Sequence, residues 1–558
     1  MSDNKRVLLA ALNSQFIHSN TAVYYMRRML ADAGISSEVK SFSINDDKHD
    51  ILYEILKYEP DAVCFSCYIW NISMVYELCC DISKINGGIK LILGGPEVTY
   101  EPHDALEKSG ADLIIRGEGE GVVCEAISDI IEGKFPECTG SFYQKDGETV
   151  DNGIALTQDL SLIISPFDDY MMVKEKDKLI YYEASRGCPF NCIYCLSSAM
   201  KGVRYFPLER VFKDLGLILR YSPKIIKFTD RSFNINEERT LKILSFIKQN
   251  GGGSCFHLEI FPSGLTRDIL LALTDMPAGL VQLEAGIQSV NPRTLKASGR
   301  VQEPEKALVN MEKLIKNGNI HIHLDLIAGL PHEDLKSFQK SFDDTISIGS
   351  HMLQIGFLKL LKGTIARNIS GYACESHPPY EVLSTPWMTF RELCEIKNIS
   401  HCVDSFYNTG KFKKYLGYMQ KKEGSPYEFY KKLSDYLEDK GIKLKGISRD
   451  RKYSTLAGYP GNDDLAIEFL RFDFMSSYSS RSIPCFLGNT GFSKEKVFDF
   501  LRVAENREKY FDSPAAPSKK LYKSCNLGMF DFGDGPVGFL FRYDMRNKVT
   551  GTFESVLI

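Results

Sequence analysis

Two runs of strand and helix alternation leave this chain little freedom in how it can fold. In the first, short apolar segments at 6–12, 38–44, 61–67, 90–95 and 113–117 are separated by amphipathic stretches. Such alternation predicts parallel strands with helices covering both faces of the sheet. Ligands of these sheets bind beyond the carboxyl ends of the strands, near the point where strand order reverses. The polar or glycine-rich turns at 13–18, 67–73, 94–98 and 117–121 fall there. Residues 136–177 carry scattered Gly, Pro and Asp with weak periodicity, and their composition predicts a linker. From 178 the alternation resumes, with strands expected at 179–185, 225–230, 256–261, 280–289, 320–328 and 351–361. Six parallel strands with outer helices describe an incomplete (β/α)6 barrel, whose chemistry gathers at the carboxyl ends of its strands. The expected division is therefore a first domain at 1–135, a linker at 136–177, a partial barrel at 178–370 and a C-terminal domain at 371–558.

The loop after the first barrel strand reads Arg186-Gly-Cys-Pro-Phe-Asn-Cys-Ile-Tyr-Cys195, which sets Cys188, Cys192 and Cys195 at C-x3-C-x2-C spacing. Three neighbouring thiolates can hold three irons of a cubic 4Fe–4S cluster, since cysteine is the usual ligand of such clusters. The fourth iron is then open to chelate a small molecule. A structural zinc site would need a fourth Cys or His, and the nearest cysteines are Cys138 and Cys255, with no histidine close by. The 15 cysteines are scattered through 558 residues, a pattern that favours reduced thiols and a metal site over a disulfide scaffold. No long apolar run and no signal-like start is present, so a cytoplasmic protein without membrane contact is expected. The net charge of −4 gives no global nucleic-acid footprint.

The cysteine spacing, with the aromatic Tyr194 before the last cysteine, resembles the signature of the radical S-adenosylmethionine superfamily. Leu283-Glu-Ala-Gly-Ile-Gln-Ser289, the following Arg300, and Asp325-Leu-Ile-Ala-Gly-Leu-Pro331 resemble later-strand motifs of its cobalamin-containing members. The resemblance implies a cluster that passes one electron to S-adenosylmethionine and releases a 5′-deoxyadenosyl radical. It also implies a flavodoxin- or ferredoxin-type electron donor. By the same resemblance Thr229 and Asp230 lie near the amino group of S-adenosylmethionine, Glu259 and Gln288 near its ribose or methionine, and Arg300 near its carboxylate. Tyr194 and Glu284 join that set.

Gly94-Gly-Pro followed by Gly117-Glu-Gly-Glu looks like the cobalamin-binding domain found upstream of such barrels, a Rossmann-like (flavodoxin-like) sheet. An Asp-x-His-x-x-Gly loop is not found after the first strand, where Asn13-Ser-Gln-Phe-Ile-His18 stands instead. The resemblance thus implies cobalamin without a lower histidine ligand, with Tyr68, Ile69 and Trp70 covering that face. His18 stays open as a ligand or a polar loop residue. The cobalamin set implied is Asn13, His18, Tyr68, Trp70, Gly94, Gly95, Gly117, Glu118 and Glu120. Cys64 and Cys67 read as core packing, because free cysteine behaves as a small hydrophobe.

Beyond 370 an α+β domain is expected, with helices near 386–398, 409–422, 426–440 and 494–510 and strands near 536–543 and 548–556. It resembles an accessory domain of one branch of these proteins. Between Lys411 and Lys452 there are 13 Lys or Arg against 6 Asp or Glu, interleaved with Phe412, Tyr415, Tyr418, Tyr427, Phe429, Tyr430 and Tyr436. That segment reads either as amphipathic helices with a solvated basic face or as a surface that binds phosphates and stacks on bases. The resemblance as a whole implies a class B-like methylase that transfers a methyl group from methylcobalamin to an unactivated carbon. A radical rearrangement, cyclisation or redox step without methyl transfer, and modification of RNA such as tRNA, stay open as alternatives. The substrate, whether small molecule, peptide or RNA, is not legible in the sequence.

Overall fold

A computed structural model describes residues 5–199, 202–480 and 482–558. Five parallel strands open the chain: β1 (Val7–Asn13), β2 (Ser37–Ser43), β3 (Ala62–Ser66), β4 (Lys90–Gly94) and β5 (Leu113–Ile115). Their order is β2-β1-β3-β4-β5, so the direction of winding reverses between β1 and β3. Every residue of β1 is buried, as an apolar strand covered on both faces must be.

The segment 136–177, expected as a linker, instead adds β6 (Ser141–Lys145) and β7 (Glu148–Asp151) to this sheet. Both pair antiparallel, β6 on β5 and β7 on β6. The connection is the two-residue turn Asp146-Gly147, with φ of +52° and +85°, a pairing that suits the twist of a tight hairpin. The true crossing follows, and Asp168 secures it by pairing with Arg27 (2.7 Å) and Arg28 (3.0 Å) of the first domain.

The second sheet begins with β8 (Ile180–Tyr182). A short antiparallel hairpin, β9 (Ser185–Cys188) with β10 (Gly202–Tyr205), then carries the cysteine loop. The remaining barrel strands are β11 (Ile225–Phe228), β12 (Cys255–Ile260), β13 (Val281–Gln288), β14 (His321–Ala328) and β15 (Met352–Phe357). All six barrel strands are parallel, in the order β15-β14-β13-β12-β11-β8, and the barrel stays open between β8 and β15. One hydrophobic core runs from Leu9 and Val23 through Phe167, Tyr182 and Phe228 to Phe338 and Tyr427, so sheet, barrel and C-terminal helices share an interior.

Past the barrel lie a small hairpin, β16 (Ala373–Cys374) with β17 (Val382–Ser384), a run of helices, and a three-stranded antiparallel sheet. That sheet comprises β18 (Cys525–Asp531), β19 (Pro536–Arg546) and β20 (Phe553–Leu557). The expectation of helices near 409–422 and 426–440 matches Lys413–Glu423 and Pro426–Asp439. Of the seven aromatics of the basic segment, Phe412, Tyr415, Tyr427, Phe429 and Tyr430 are buried, while Tyr418 and Tyr436 are half-buried. The five buried rings are packing residues rather than a stacking platform. Among the described residues no helix is long and apolar enough to cross a membrane.

Candidate active site

The carboxyl ends of the two parallel sheets face each other across a cavity of about 480 Å³. Tyr68, Gly94, Gly95, Gly117, Glu118 and Glu120 line it from the first sheet, and Ser185, Arg186, Gly187, Thr229 and Arg231 from the barrel. Its inner end is apolar, formed by Leu9, Val23, Met26, Ile92 and Val123. Two glycines are required by geometry. Gly95 has φ +118° and ψ 173°, a backbone region open essentially to glycine, and a Cβ there would lie 2.5 Å from the Cys67 carbonyl oxygen. Gly117, at φ +88°, would bring a Cβ to 2.2 Å from the Ala155 carbonyl.

Glu118 and Glu120, read from sequence as cobalamin residues, line the cavity but point their carboxylates at the cysteine hairpin. Glu118 takes a two-pronged contact from Arg204, at 2.6 Å and 2.9 Å, and the Thr157 N–H at 2.9 Å. Glu120 accepts from Arg186 at 2.5 Å, and Glu183 shares the same guanidinium at 2.7 Å. Arg186 and Arg204 are direct partners across β9 and β10, an arrangement that like charges disfavour unless each is neutralised. The two glutamates supply that neutralisation from the other domain. Burial alone would push the Glu118 carboxyl up, but Arg204, Arg186 and the Thr157 N–H hold it below the ordinary glutamate value. The hairpin that presents the cysteines is therefore fastened electrostatically to the first sheet.

Cys188 ends β9, Cys192 is buried, and Cys195 precedes the short helical turn Leu196–Ser198. The loop is held by its backbone: Cys195 N–H donates to Cys192 O (3.1 Å), Ile193 N–H to Ser298 O (3.0 Å), and Ala366 N–H to Ile193 O (2.9 Å). The Ser198 hydroxyl bonds both Cys192 O (3.0 Å) and Cys195 O (2.6 Å). Gly299, at φ +66°, passes close enough that a Cβ would meet Asn191 O at 2.5 Å. All three cysteines are free thiols. Among the described residues no three His, Cys, Asp or Glu side chains converge tightly enough to hold a single ion. A cubic cluster does not ask for that, since each thiolate binds a different iron.

The residues assigned by resemblance to S-adenosylmethionine divide into two groups. Asp230 is buried and engaged: it accepts from the Ala184 N–H (2.9 Å) and the Ser185 hydroxyl, anchoring the start of β9. Burial pushes its carboxyl up to about 6 despite those bonds. Thr229 lines the cavity while its hydroxyl bonds Tyr182 O at 3.3 Å. Glu284 is likewise committed, to His257 Nε2 (2.7 Å) and Lys227 Nζ (3.0 Å), and the His257 bond leads in drawing it down to about 2. The others keep bonding capacity in reserve. Tyr194 Oη, Gln288 Oε1 and Arg300 Nε are buried atoms without a partner, and so is Oδ1 of Asp325, which the resemblance did not assign to S-adenosylmethionine. Gln288 also sits at φ +67° beside a bulge in the β13–β14 pairing. Glu259 is half-buried, 3.8 Å from Arg231, and burial raises its carboxyl. None of the four residues with an idle atom is among those lining the cavity; those atoms are open to a polar ligand, while Arg300 Nη2 already donates to Gly286 O and to Gln302 Oε1 (2.8 Å).

Of the remaining cobalamin set, Gly94, Gly95, Gly117 and Tyr68 line the cavity. The Tyr68 ring stacks on Trp70, centroids 4.4 Å apart, and Trp70 is tied to Leu12 O at 3.1 Å. Asn13 is buried and donates to His18 O (3.0 Å). His18 Nδ1 bonds the Tyr181 hydroxyl at 2.7 Å, so this imidazole faces the first barrel strand and is not among the residues lining the cavity. Sequence reasoning did not assign Arg204, Lys227 or His257. The signal available for Arg204 was the doubled glutamate in Gly117-Glu-Gly-Glu, two acids that need partners when buried.

Three family models match successive parts of the chain: the B12 binding domain over 7–127, the radical SAM superfamily over 182–345, and a domain of unknown function (DUF4080) over 370–534. The chain joins a B12-binding domain to a radical SAM domain. Among curated proteins, an uncharacterized methyltransferase of Pyrococcus horikoshii is 28% identical over 294 residues, 51% of this chain and 63% of the relative. The cobalamin-dependent radical SAM methyltransferase TokK of Streptomyces tokunonensis is 24% identical over 426 residues, 68% of this chain and 62% of that protein. The chain thus spans less than two thirds of the length of either relative. Among solved structures, the cobalamin-dependent radical enzyme OxsB, with aqua-cobalamin and S-adenosylmethionine bound, matches 92% of this chain and 84% of its own at TM-score 0.59 and 15% identity. TsrM of Kitasatospora setae, with tryptophan and a S-adenosylmethionine analogue bound, matches 68% and 80% at TM-score 0.57 and 17% identity. These two likenesses establish the shared fold.

Proposed function

We propose that this protein is a cobalamin-dependent radical S-adenosylmethionine enzyme that methylates an unactivated carbon of its substrate. The observation that carries the reading is the cavity shared by the carboxyl ends of both sheets, with the cysteine loop beside it at Leu196 and Ser197. Cys188, Cys192 and Cys195 would hold a 4Fe–4S cluster. Tyr194, Gln288, Arg300 and Asp325, with their idle polar atoms, would take the methionyl and ribose groups of S-adenosylmethionine. Gly94, Gly95 and Gly117, with Tyr68 and the apolar residues Leu9, Val23, Met26, Ile92 and Val123, would hold the cobalamin. When bound, the cluster with S-adenosylmethionine supplies a hydrogen-abstracting radical, and cobalamin supplies the methyl group.

The chain's own share is placement and dryness. The Arg186 and Arg204 ion pairs fix the cysteine hairpin against the first sheet. Glu284, fully ionised and bonded to His257 and Lys227, gives the barrel interior a fixed charge without a loose proton. Turnover with S-adenosylmethionine carrying a labelled methyl group, assayed with candidate substrates, tests the proposal. Label in the product together with 5′-deoxyadenosine supports it, and 5′-deoxyadenosine with an unlabelled product would replace methylation by a rearrangement or redox reaction. An electron donor of flavodoxin or ferredoxin type belongs to the same proposal.

A further inference from the structure

A second cavity, of about 690 Å³, lies at the opposite end of the barrel and shares no lining residue with the first. His321 opens β14 and His351 immediately precedes β15, so both mark the amino-terminal rim of the strands. The other walls come from the C-terminal domain: the helix Lys413–Glu423, Phe472 and Asp473 of the helix Asp464–Ser477, and the turn between β19 and β20. A volume in this range suits a small molecule, and a boundary between domains is a common place for one.

The lining carries three lysines and two histidines against a single carboxylate, Asp473. Lys413, Gly417 and Lys421 recur at intervals of four and so share the helix face turned to the cavity. Lys414 joins them with its ammonium 4.7 Å from the centre of the Phe472 ring. Among the described residues none of these three lysines forms a close ion pair, and the one carboxylate near Lys413 and Lys414 is that of Asp473. The nearby Asp473 is already occupied, accepting the backbone N–H groups of Lys414 (3.2 Å) and Tyr415 (2.9 Å). His351 Nδ1 accepts from the Ile322 N–H (3.2 Å), which leaves its Nε2 as the donor in the neutral ring. His321 Nδ1 is buried without a partner.

Gly417 adds room at the centre of this lysine stripe. A glycine inside a helix is destabilising relative to alanine, because it adds backbone freedom to the unfolded chain and no contact to the folded one. Here a Cβ would meet nothing within 4 Å. The bare backbone of the glycine keeps the centre of the lysine stripe clear.

We propose that this cavity binds a phosphate-bearing small molecule of about nucleotide size, with its phosphates on Lys413, Lys414 and Lys421 and its body lying over Gly417. Lysine serves phosphate as a point charge, and three unpaired ammonium groups around one space provide an electrostatic well that a neutral ligand would not use.

Calorimetric titration of the full-length chain with pyrophosphate, AMP and ATP tests this, using wild type, the double variant Lys413→Ala/Lys421→Ala, and Gly417→Leu. At least one probe should bind saturably at a 1:1 ratio. Both variants should weaken that binding at least tenfold, and the thermal midpoint of Gly417→Leu should equal or exceed that of wild type. Absence of binding by all three probes at millimolar concentration would overturn the proposal. So would binding indifferent to both variants, which would place the nucleotide at the barrel mouth. A lowered midpoint for Gly417→Leu would refute the claim that the space over this residue is open, and retention of RNA without any of the small phosphates would assign the lysines to a polymer instead.

Discussion

Replacing Glu118 with glutamine separates the electrostatic fastening of the cysteine hairpin from everything else in the cavity. The side chains of Glu118 and Arg204 are 8% and 16% exposed, so both charges are largely desolvated. Removing one partner of a buried pair costs about 3–5 kcal/mol, because the survivor is left charged and uncompensated. Arg204 keeps a bond to Thr157 O and some access to water, which brings the expected loss to about 2–3 kcal/mol. The assay is urea unfolding followed by circular dichroism and fluorescence together, comparing Glu118→Gln, Arg204→Met and the double variant. In a double-mutant cycle the pair should couple by about 1–3 kcal/mol, since they touch and share Thr157. The effect also has a sign in pH. The folded-state pKa of Glu118 lies below its ordinary value of 4.5, so its contribution is complete above that pH and fades as pH falls through the folded value. The gap between wild type and Glu118→Gln should therefore close in acid. A loss under about 0.5 kcal/mol at pH 7, or simple additivity of the two single variants, would refute the reasoning.

Three further outcomes follow from the same geometry. Changing Cys188, Cys192 or Cys195 to Ala should abolish the iron–sulfur absorbance and S-adenosylmethionine cleavage, while equilibrium dialysis still finds cobalamin bound. Gly95→Ala adds a Cβ 2.5 Å from Cys67 O in a glycine-only backbone region, and should cost about 2–5 kcal/mol in urea unfolding and most of the cobalamin affinity. Glu333 is buried, accepts from the hydroxyls of Ser289 (2.5 Å) and Ser341 (3.3 Å), and is pushed up to about 8 by that burial. A folded-state acid raised in this way binds more protons than the unfolded chain, so wild-type stability should fall between pH 4.5 and about 8. Glu333→Gln should flatten that slope in thermal unfolding across the same range.

The parts of this protein that periodicity controls were readable from its residues, because a strand covered on both faces must be apolar throughout. All eleven parallel strands fall within a few residues of the apolar runs in the sequence. The antiparallel strands β6 and β7 are not legible as strands because they are short, the end of β6 and most of β7 are exposed, and their turn signal, Asp146-Gly147, is embedded in polar surroundings. β18 was missed because Asn526, Gly528 and Asp531 are poor strand formers, and the strand is held by its neighbour β19 rather than by propensity. At the site, motif spacing pointed to the cysteines and glycines, whose roles depend on local chain geometry. It could not foresee which polar residues were already engaged. Asp230, Glu118, Glu120 and His18 each acquire a partner distant in sequence, and only the tertiary fold brings those partners together.

The most direct test is anaerobic reconstitution of the full-length protein with iron, sulfide and hydroxocobalamin, followed by electron paramagnetic resonance of the reduced sample with and without S-adenosylmethionine. About four irons and one corrinoid per chain are expected, with a cluster spectrum that changes when S-adenosylmethionine reaches the open iron. An iron-free protein, or a cluster whose spectrum ignores S-adenosylmethionine, would contradict the account.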